Sequence, residues 1–308
     1  GSTTLFVSGG SSNRVTTYDL SSNFGFGINA NHVLGQATFT TATTGNTQSG
    51  MSNARGISYD ATNKRLFVAN SGNNRVTVYD LNTGVTDGQN ALAVIGQQLF
   101  TSTTANNTQD GLTTPTGVLC DTANNRLYVL QSGANRVSIF DLTIGIANSE
   151  SAVNVLGQPD FVTITAATTQ AKMNTPNGVT LSGSDTLFVS QSTGQRVTIY
   201  DLSAGITNGQ NAKNVLGEPD FVTGITATTI NGMSTPRGMA YDPVNKILYV
   251  VQTGNHRVTT YDLRSITNGE DAIHVLGQAN FTSGSAGTTQ ATLNAPTGAF
   301  YDSANTRL

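Results

Sequence analysis

Short apolar–polar alternations bounded by Gly, Asn, Ser and Thr run the length of the chain, and no stretch carries the period of an amphipathic helix. One set shows the pattern most clearly. Residues 56–60 predict a strand a, and residues 61–65 form a turn. Residues 66–69 predict strand b, Ser71-Gly72-Asn73-Asn74 turns the chain, and residues 76–80 predict strand c. A loop over 82–90 leads to strand d at 91–95, and a long connection over 96–116 reaches the next strand a.

The same set recurs five times. Its Arg-Val pair stands at Arg14, Arg75, Arg136, Arg196 and Arg257, in steps of 61, 61, 60 and 61 residues. A period of this size cannot bury an apolar face within one unit, so neighbouring units must share a core. Four antiparallel strands repeated radially make a β-propeller, and five units fall within its range of blade numbers. The expectation is therefore an all-β, five-bladed β-propeller of four-stranded antiparallel blades forming one domain over residues 1–308. The chain opens on a strand b at 5–7 and ends on a strand a and its turn at 298–308. The fifth blade is expected to close by pairing the N-terminal strands b–d with this C-terminal strand a, which would also hide a sheet edge. Gly1-Ser2 reads as a cloning scar.

Several residues return in every unit and belong first to the scaffold. Phe39, Phe100, Phe161, Phe221 and Phe281 follow strand d, and Met51, Leu112, Met173, Met233 and Leu293 precede strand a. Together they are expected to pin the long d–a loops between blades. Asp60, Asp121, Asp242 and Asp302 end strand a, where Asp suits turn hydrogen bonding. The run Thr235-Pro236-Arg237-Gly238-Met239-Ala240-Tyr241-Asp242, then Leu248-Tyr249-Val250, then Gly254-Asn255-His256-Arg257-Val258, resembles an NHL repeat. In the other units Asn74, Asn135 and Gln195 stand at the place of His256. The resemblance implies the propeller fold and says little of function, since NHL propellers include RNA-binding modules, extracellular sensor domains and a zinc-dependent lyase. The blade number and the longer repeat depart from the commoner six-bladed members.

Composition narrows the chemistry. Charged residues are 11% of the chain and the formal net charge is −3, which gives no global attraction to nucleic acid or an anionic membrane. No apolar run approaches the length of a membrane span. The polar, lysine-poor surface suggests an extracellular or periplasmic bacterial protein. Cys120 occupies an apolar repeat position and reads as a small core residue. His32 and His274 share one repeat position, and His256 sits in a turn, so no histidines converge for a zinc site. Glu270-Asp271 lies in a c–d loop, away from any second acid pair. Neither a catalytic set nor a cofactor is expected.

The informative signal is variation inside a constant frame. Directly before the strand a glycine stand Arg55, Thr116, Asn177, Arg237 and Thr297, which a propeller would place around the mouth of its central channel. At the end of strand b, Asn70, Gln131, Gln191 and Gln252 offer a second ring, which Gly9 interrupts. Two arginines among hydroxyls and amides suit an anion. The d–a and b–c loops carry eight basic and four acidic residues, with the five motif arginines among the eight. The leading expectation is a non-catalytic, monomeric binding module whose channel mouth receives an acidic glycan or an acidic protein segment. An NHL-lineage enzyme is the alternative, and a nucleic-acid-binding propeller is disfavoured by the absence of Trp and of aromatic–basic clusters.

Overall fold

The computed structural model describes residues 4–21, 27–303 and 305–308. The first sheet holds β1 (Thr4–Gly9), β2 (Arg14–Asp19) and β3 (His32–Leu34). The second holds β4 (Ala54–Asp60), β5 (Arg65–Asn70), β6 (Arg75–Asp80) and β7 (Ala93–Ile95), with one 3-10 turn at Ser71–Asn73. The third is β8 (Pro115–Asp121), β9 (Arg126–Gln131), β10 (Arg136–Asp141) and β11 (Asn154–Leu156). The fourth is β12 (Pro176–Ser182), β13 (Thr186–Gln191), β14 (Arg196–Asp201) and β15 (Asn214–Leu216). The fifth is β16 (Pro236–Asp242), β17 (Ile247–Gln252), β18 (Arg257–Asp262) and β19 (His274–Leu276). Every sheet runs in chain order as an antiparallel meander, and the fold is a five-bladed β-propeller.

The strands follow from the sequence with one systematic difference. Strand d is only three residues long, because Ala91 donates to the carbonyl of Gln48 in the preceding d–a loop rather than to its sheet. Ala152, Ala212 and Ala272 do the same to Gln109, Gln170 and Ile230. The backbone before strand d is therefore anchored to a neighbouring loop, which ends the ladder early.

The first sheet contains three strands, in the order β1-β2-β3, and residues 298–301 carry no strand assignment. That segment lies beside β16, as β4 lies beside β8 and β12 beside β16. The Gly238 amide donates to the Thr297 carbonyl at 3.0 Å, and Tyr301 stacks on Tyr249 with centroids 5.9 Å apart. Its turn closes on itself through a bridge between Asp302 and Arg307.

The chain falls into two compact units, residues 1–134 with 138–153 and residues 135–137 with 154–308. The core of the first includes Val15, Leu34, Met51, Leu66, Val68 and Tyr79, all inaccessible to solvent. That of the second includes Phe188, Val197, Leu216, Met233, Leu248 and Tyr261, equally buried. Within each unit, adjacent blades are fastened by one repeated bond. The outward amide of strand d at Val33 and Val94 donates to Asp87 and Asn148 in the c–d loop of the following blade, both at 3.0 Å. In the second unit Val155 and Val215 donate to Asn208 and Asn268, both at 3.1 Å.

Candidate ligand-binding positions on strand a

The chain enters each strand a through a residue with left-handed backbone: Asn53, Thr114, Thr175, Thr235 and Ala295, at φ between 47° and 54°. Such residues tolerate this conformation only where the surroundings enforce it. A side chain from the preceding b–c turn does so by accepting the backbone N–H. Asn13 serves Asn53 at 2.7 Å, Asn74 serves Thr114 at 2.8 Å, and Asn135 serves Thr175 at 2.9 Å. Gln195 serves Thr235 at 2.7 Å, and His256 Nδ1 serves Ala295 at 2.9 Å. The position that varies between Asn, Gln and His thus needs an acceptor of suitable length, and its role is structural.

One residue further on, strand a bulges, at Ala54/Ile57, Pro115/Gly117, Pro176/Gly178 and Pro236/Met239. A bulge re-aims the side chain it carries. The glycine in it has a steric cause. A Cβ on Gly56 would lie 2.6 Å from Gly117 Cα, and one on Gly178 would lie 2.1 Å from the Arg237 carbonyl oxygen. Within each unit, consecutive strands a meet backbone to backbone at this point. In the first unit this sets Arg55 and Thr116 on neighbouring strands, and in the second Asn177, Arg237 and Thr297 follow one another.

These five positions are not equivalent. Thr116 is buried, Arg55, Asn177 and Arg237 are half-buried, and Thr297 is exposed. The Arg237 guanidinium makes no hydrogen bond or ion pair with any described residue, and its Nε is shielded from solvent without a partner. A half-buried cation in that state retains its full capacity to bind an anion.

The second set of expected residues is placed differently. Asn70, Gln131, Gln191 and Gln252 are completely buried, and their amides are committed to the frame. Asn70 accepts from the Ser52 amide at 2.7 Å, Gln131 from Thr113 at 2.9 Å and Gln191 from Asn174 at 2.9 Å. The side-chain nitrogens of Gln131, Gln191 and Gln252 donate to Ser138, Thr198 and Thr259 at 2.7–2.9 Å. Gln131 and Gln191 thus hold the entry to strand a against strand c, Asn70 holds the entry alone, and Gln252 accepts from Asn255 and Arg257 instead, so any ligand chemistry rests on the first set alone.

The motif arginines change the charge picture as well. Arg75, Arg136, Arg196 and Arg257 have no exposed surface. Each donates to the carbonyl of the phenylalanine that follows its own strand d, namely Phe100, Phe161, Phe221 and Phe281. Each also serves the preceding d–a loop where further bonds are resolved. Arg75 donates to Asn46, Thr47 and Gly50, Arg196 to Thr169 and Lys172, and Arg257 to Thr229 and Gly232, at 2.9–3.2 Å. One planar fork therefore staples two successive d–a loops, a task suited to a guanidinium. Burial pushes the Arg75 and Arg136 guanidinium pKa down to about 10, leaving both charged at neutral pH. Once these four are removed, the basic excess of the loops disappears, leaving four basic residues against four acidic ones. Met51, Leu112, Met173 and Met233 are fully buried, whereas Leu293, Phe100, Phe161, Phe221 and Phe281 are half-buried and Phe39 is exposed.

The remaining candidates lie apart. His32 approaches Asp87 at 3.2 Å on the surface, and His274 lies 3.4 Å from Thr260 Oγ1. Glu270 accepts from the Thr267 amide at 2.9 Å within its own turn. Burial, reinforced by nearby Asp60, pushes the Cys120 thiol up to about 12. Among the described residues, no three His, Cys, Asp or Glu side chains cluster as metal ligands. A cleft of about 240 Å³ in the first unit is lined by Gln36, Thr41, Thr43, Thr47 and Ser49. It is a loop feature away from strand a, and the Gln36 amide in it bonds the carbonyls of Asn13 and Thr43 at 2.9 and 2.8 Å.

The five meander sheets and their repeated frame define the protein as a β-propeller. No protein-family model matches the sequence. No curated protein matches it either. Among solved structures, the chain is similar to the β-propeller domain of Myceliophteria thermophila Cps50 (Swd1), with a TM-score of 0.52 and 14% identity. The match covers 89% of this chain and 68% of that one, and at this identity it speaks for the fold alone.

Proposed function

We propose that the protein is a non-catalytic binding module of NHL-like lineage that receives a carboxylate or sulfate group at the bulged entry of strand a. The observation that carries the reading is Arg237. It is a half-buried guanidinium without a partner among the described residues, in a chain whose fully buried arginines are bonded to backbone carbonyls. Asn177 and Thr297, on the strand and segment at either side, supply the amide and hydroxyl that complete an anion's hydrogen bonds. Arg55 with Thr116 is the corresponding pair in the first unit. An acidic glycan or an acidic protein segment carries the required group. A polar, lysine-poor, bacterial surface protein acting as a monomer outside the cytoplasm is the setting that fits this chemistry.

Titration with a sulfated glycan and with polyglutamate, by calorimetry, tests the proposal. Binding is expected to be saturable, to weaken with salt, and to fall at least tenfold in Arg237→Ala with unchanged circular dichroism. Binding that is unaffected by Arg237→Ala, or absent for every anionic probe, overturns it.

A further inference from the structure

Two d–a loops of the second unit share a sequence that the other loops lack. Pro159-Asp160-Phe161-Val162-Thr163 and Pro219-Asp220-Phe221-Val222-Thr223 are identical, whereas Thr40, Thr101 and Thr282 stand at the valine position elsewhere. Two residues beyond Val162 comes Ile164, and three beyond Val222 comes Ile225, where the other loops carry small polar or methyl side chains. A valine that replaces threonine on a loop surface gives up a hydrogen-bonding group without gaining burial, so the fold does not call for it.

The structure exposes these residues rather than packing them. Val162 is 69% accessible, Ile164 41%, Val222 71% and Ile225 64%. The local geometry fixes them outward. Asp160 accepts from the amides of Val162 and Thr163 at 3.0 and 2.7 Å, and Asp220 from those of Val222 and Thr223 at 2.9 and 2.8 Å. Each turn therefore holds its valine in one orientation, with an exposed carboxylate two residues away. The loops are also joined to each other. Thr168 Oγ1 of the first donates to the Val222 carbonyl of the second at 3.3 Å, and Thr168 Cγ2 lies 3.0 Å from where a Cβ on Gly224 would stand. Four exposed aliphatic side chains on two joined loops mark an interaction site more often than a single exposed leucine does.

Charge decides the partner. Asp160 and Asp220 are both exposed, and their turn hydrogen bonds hold them below the usual carboxylate range, so they are ionised at neutral pH. Among the basic residues of these two loops, Lys172 is the only one present. We infer that the paired Pro-Asp-Phe-Val-Thr loops form a docking surface for a protein segment with aliphatic anchors flanked by Lys or Arg. The anchors cover Val162, Ile164, Val222 and Ile225, and the flanking bases meet Asp160 and Asp220. An acidic partner is repelled there. This surface is distinct in charge and in residues from the strand a position around Arg237.

Panning a random twelve-residue peptide library on the wild-type protein, followed by affinity measurement of the enriched peptides as synthetic probes, tests the inference. Enriched peptides are expected to combine aliphatic residues with flanking Lys or Arg. Their affinity is expected to fall at least tenfold in Val162→Thr/Val222→Thr, substitutions already present in other repeats and therefore compatible with folding. It falls several-fold in Asp160→Asn/Asp220→Asn, which keeps each turn's acceptor but removes the charge, and it is unchanged in Arg237→Ala. Failure to enrich any peptide above a control matrix overturns the inference. So do enriched peptides that lack bases, or binding indifferent to the valine pair.

Discussion

Glu218 stands where the other four repeats have Gln36, Gln97, Gln158 and Gln278. In those repeats the side-chain nitrogen donates to two backbone carbonyls across the d–a loop, at 2.8–3.1 Å. The partners are Asn13 and Thr43, Asn74 and Thr104, Asn135 and Thr165, and His256 and Ser285. Glu218, 4% accessible, keeps only the acceptor half of this pattern, taking the Ile225 amide at 2.6 Å. An ionised carboxylate has no proton for the two carbonyls. Burial accordingly raises its pKa, and this outweighs the Ile225 hydrogen bond and the attraction of Arg196. Glu218→Gln supplies both donors. Two neutral hydrogen bonds at roughly 1 kcal/mol each give about 2 kcal/mol. With an unfolding entropy of about 2.1 cal/mol/K per residue, that raises Tm by about 3 °C at pH 7. The raised pKa fixes the pH dependence. The stability that the protonated carboxyl contributes is complete below the ordinary glutamate pKa of about 4.3. It is lost as pH rises through the higher folded value. The gap between variant and wild type therefore widens from pH 4 towards neutrality. Thermal unfolding followed by circular dichroism between pH 4 and 8 measures it. A gap that does not change with pH, or a variant less stable than wild type at pH 7, refutes the reasoning.

Three further outcomes follow from the frame. Arg75→Ala removes a buried fork from four carbonyls and is expected to cost about 4 kcal/mol, read as a lowered urea midpoint, with little recovery in Arg75→Lys. Gly178→Ala is expected to destabilise strongly, since its Cβ would meet the Arg237 carbonyl at 2.1 Å, whereas Gly298→Ala, with nothing within 4 Å, leaves the urea midpoint unchanged. Cys120, its thiol pushed up to about 12, is expected to react with a disulfide reagent at pH 8 far more slowly than a free thiol until denaturant is added.

Much of the architecture is set by residue types whose reasons are local. The alternating runs, the Asp that closes four of the five a–b turns and the glycine in each strand a mark the blades, because each answers to backbone geometry within a few residues. The five-fold register of the Arg-Val pair then makes the propeller legible without any structure. Which repeated polar residues are free was a different matter. The arginine fork bonds carbonyls 24–29 residues away in two different loops, and three of the four buried amides bond the entry to their own strand a, 17–18 residues back. A charge in the sequence looks the same whether water or a carbonyl will face it, so only the tertiary structure separates Arg237 from Arg257. The same holds for Val162 and Val222, which read as core residues by type. Their exposure is decided by an Asx turn and by the absence of a facing surface, neither of which is written in hydrophobicity. Local sterics thus fixed the blades from the sequence, while long-range satisfaction of buried carbonyls decided which side chains remain for a partner.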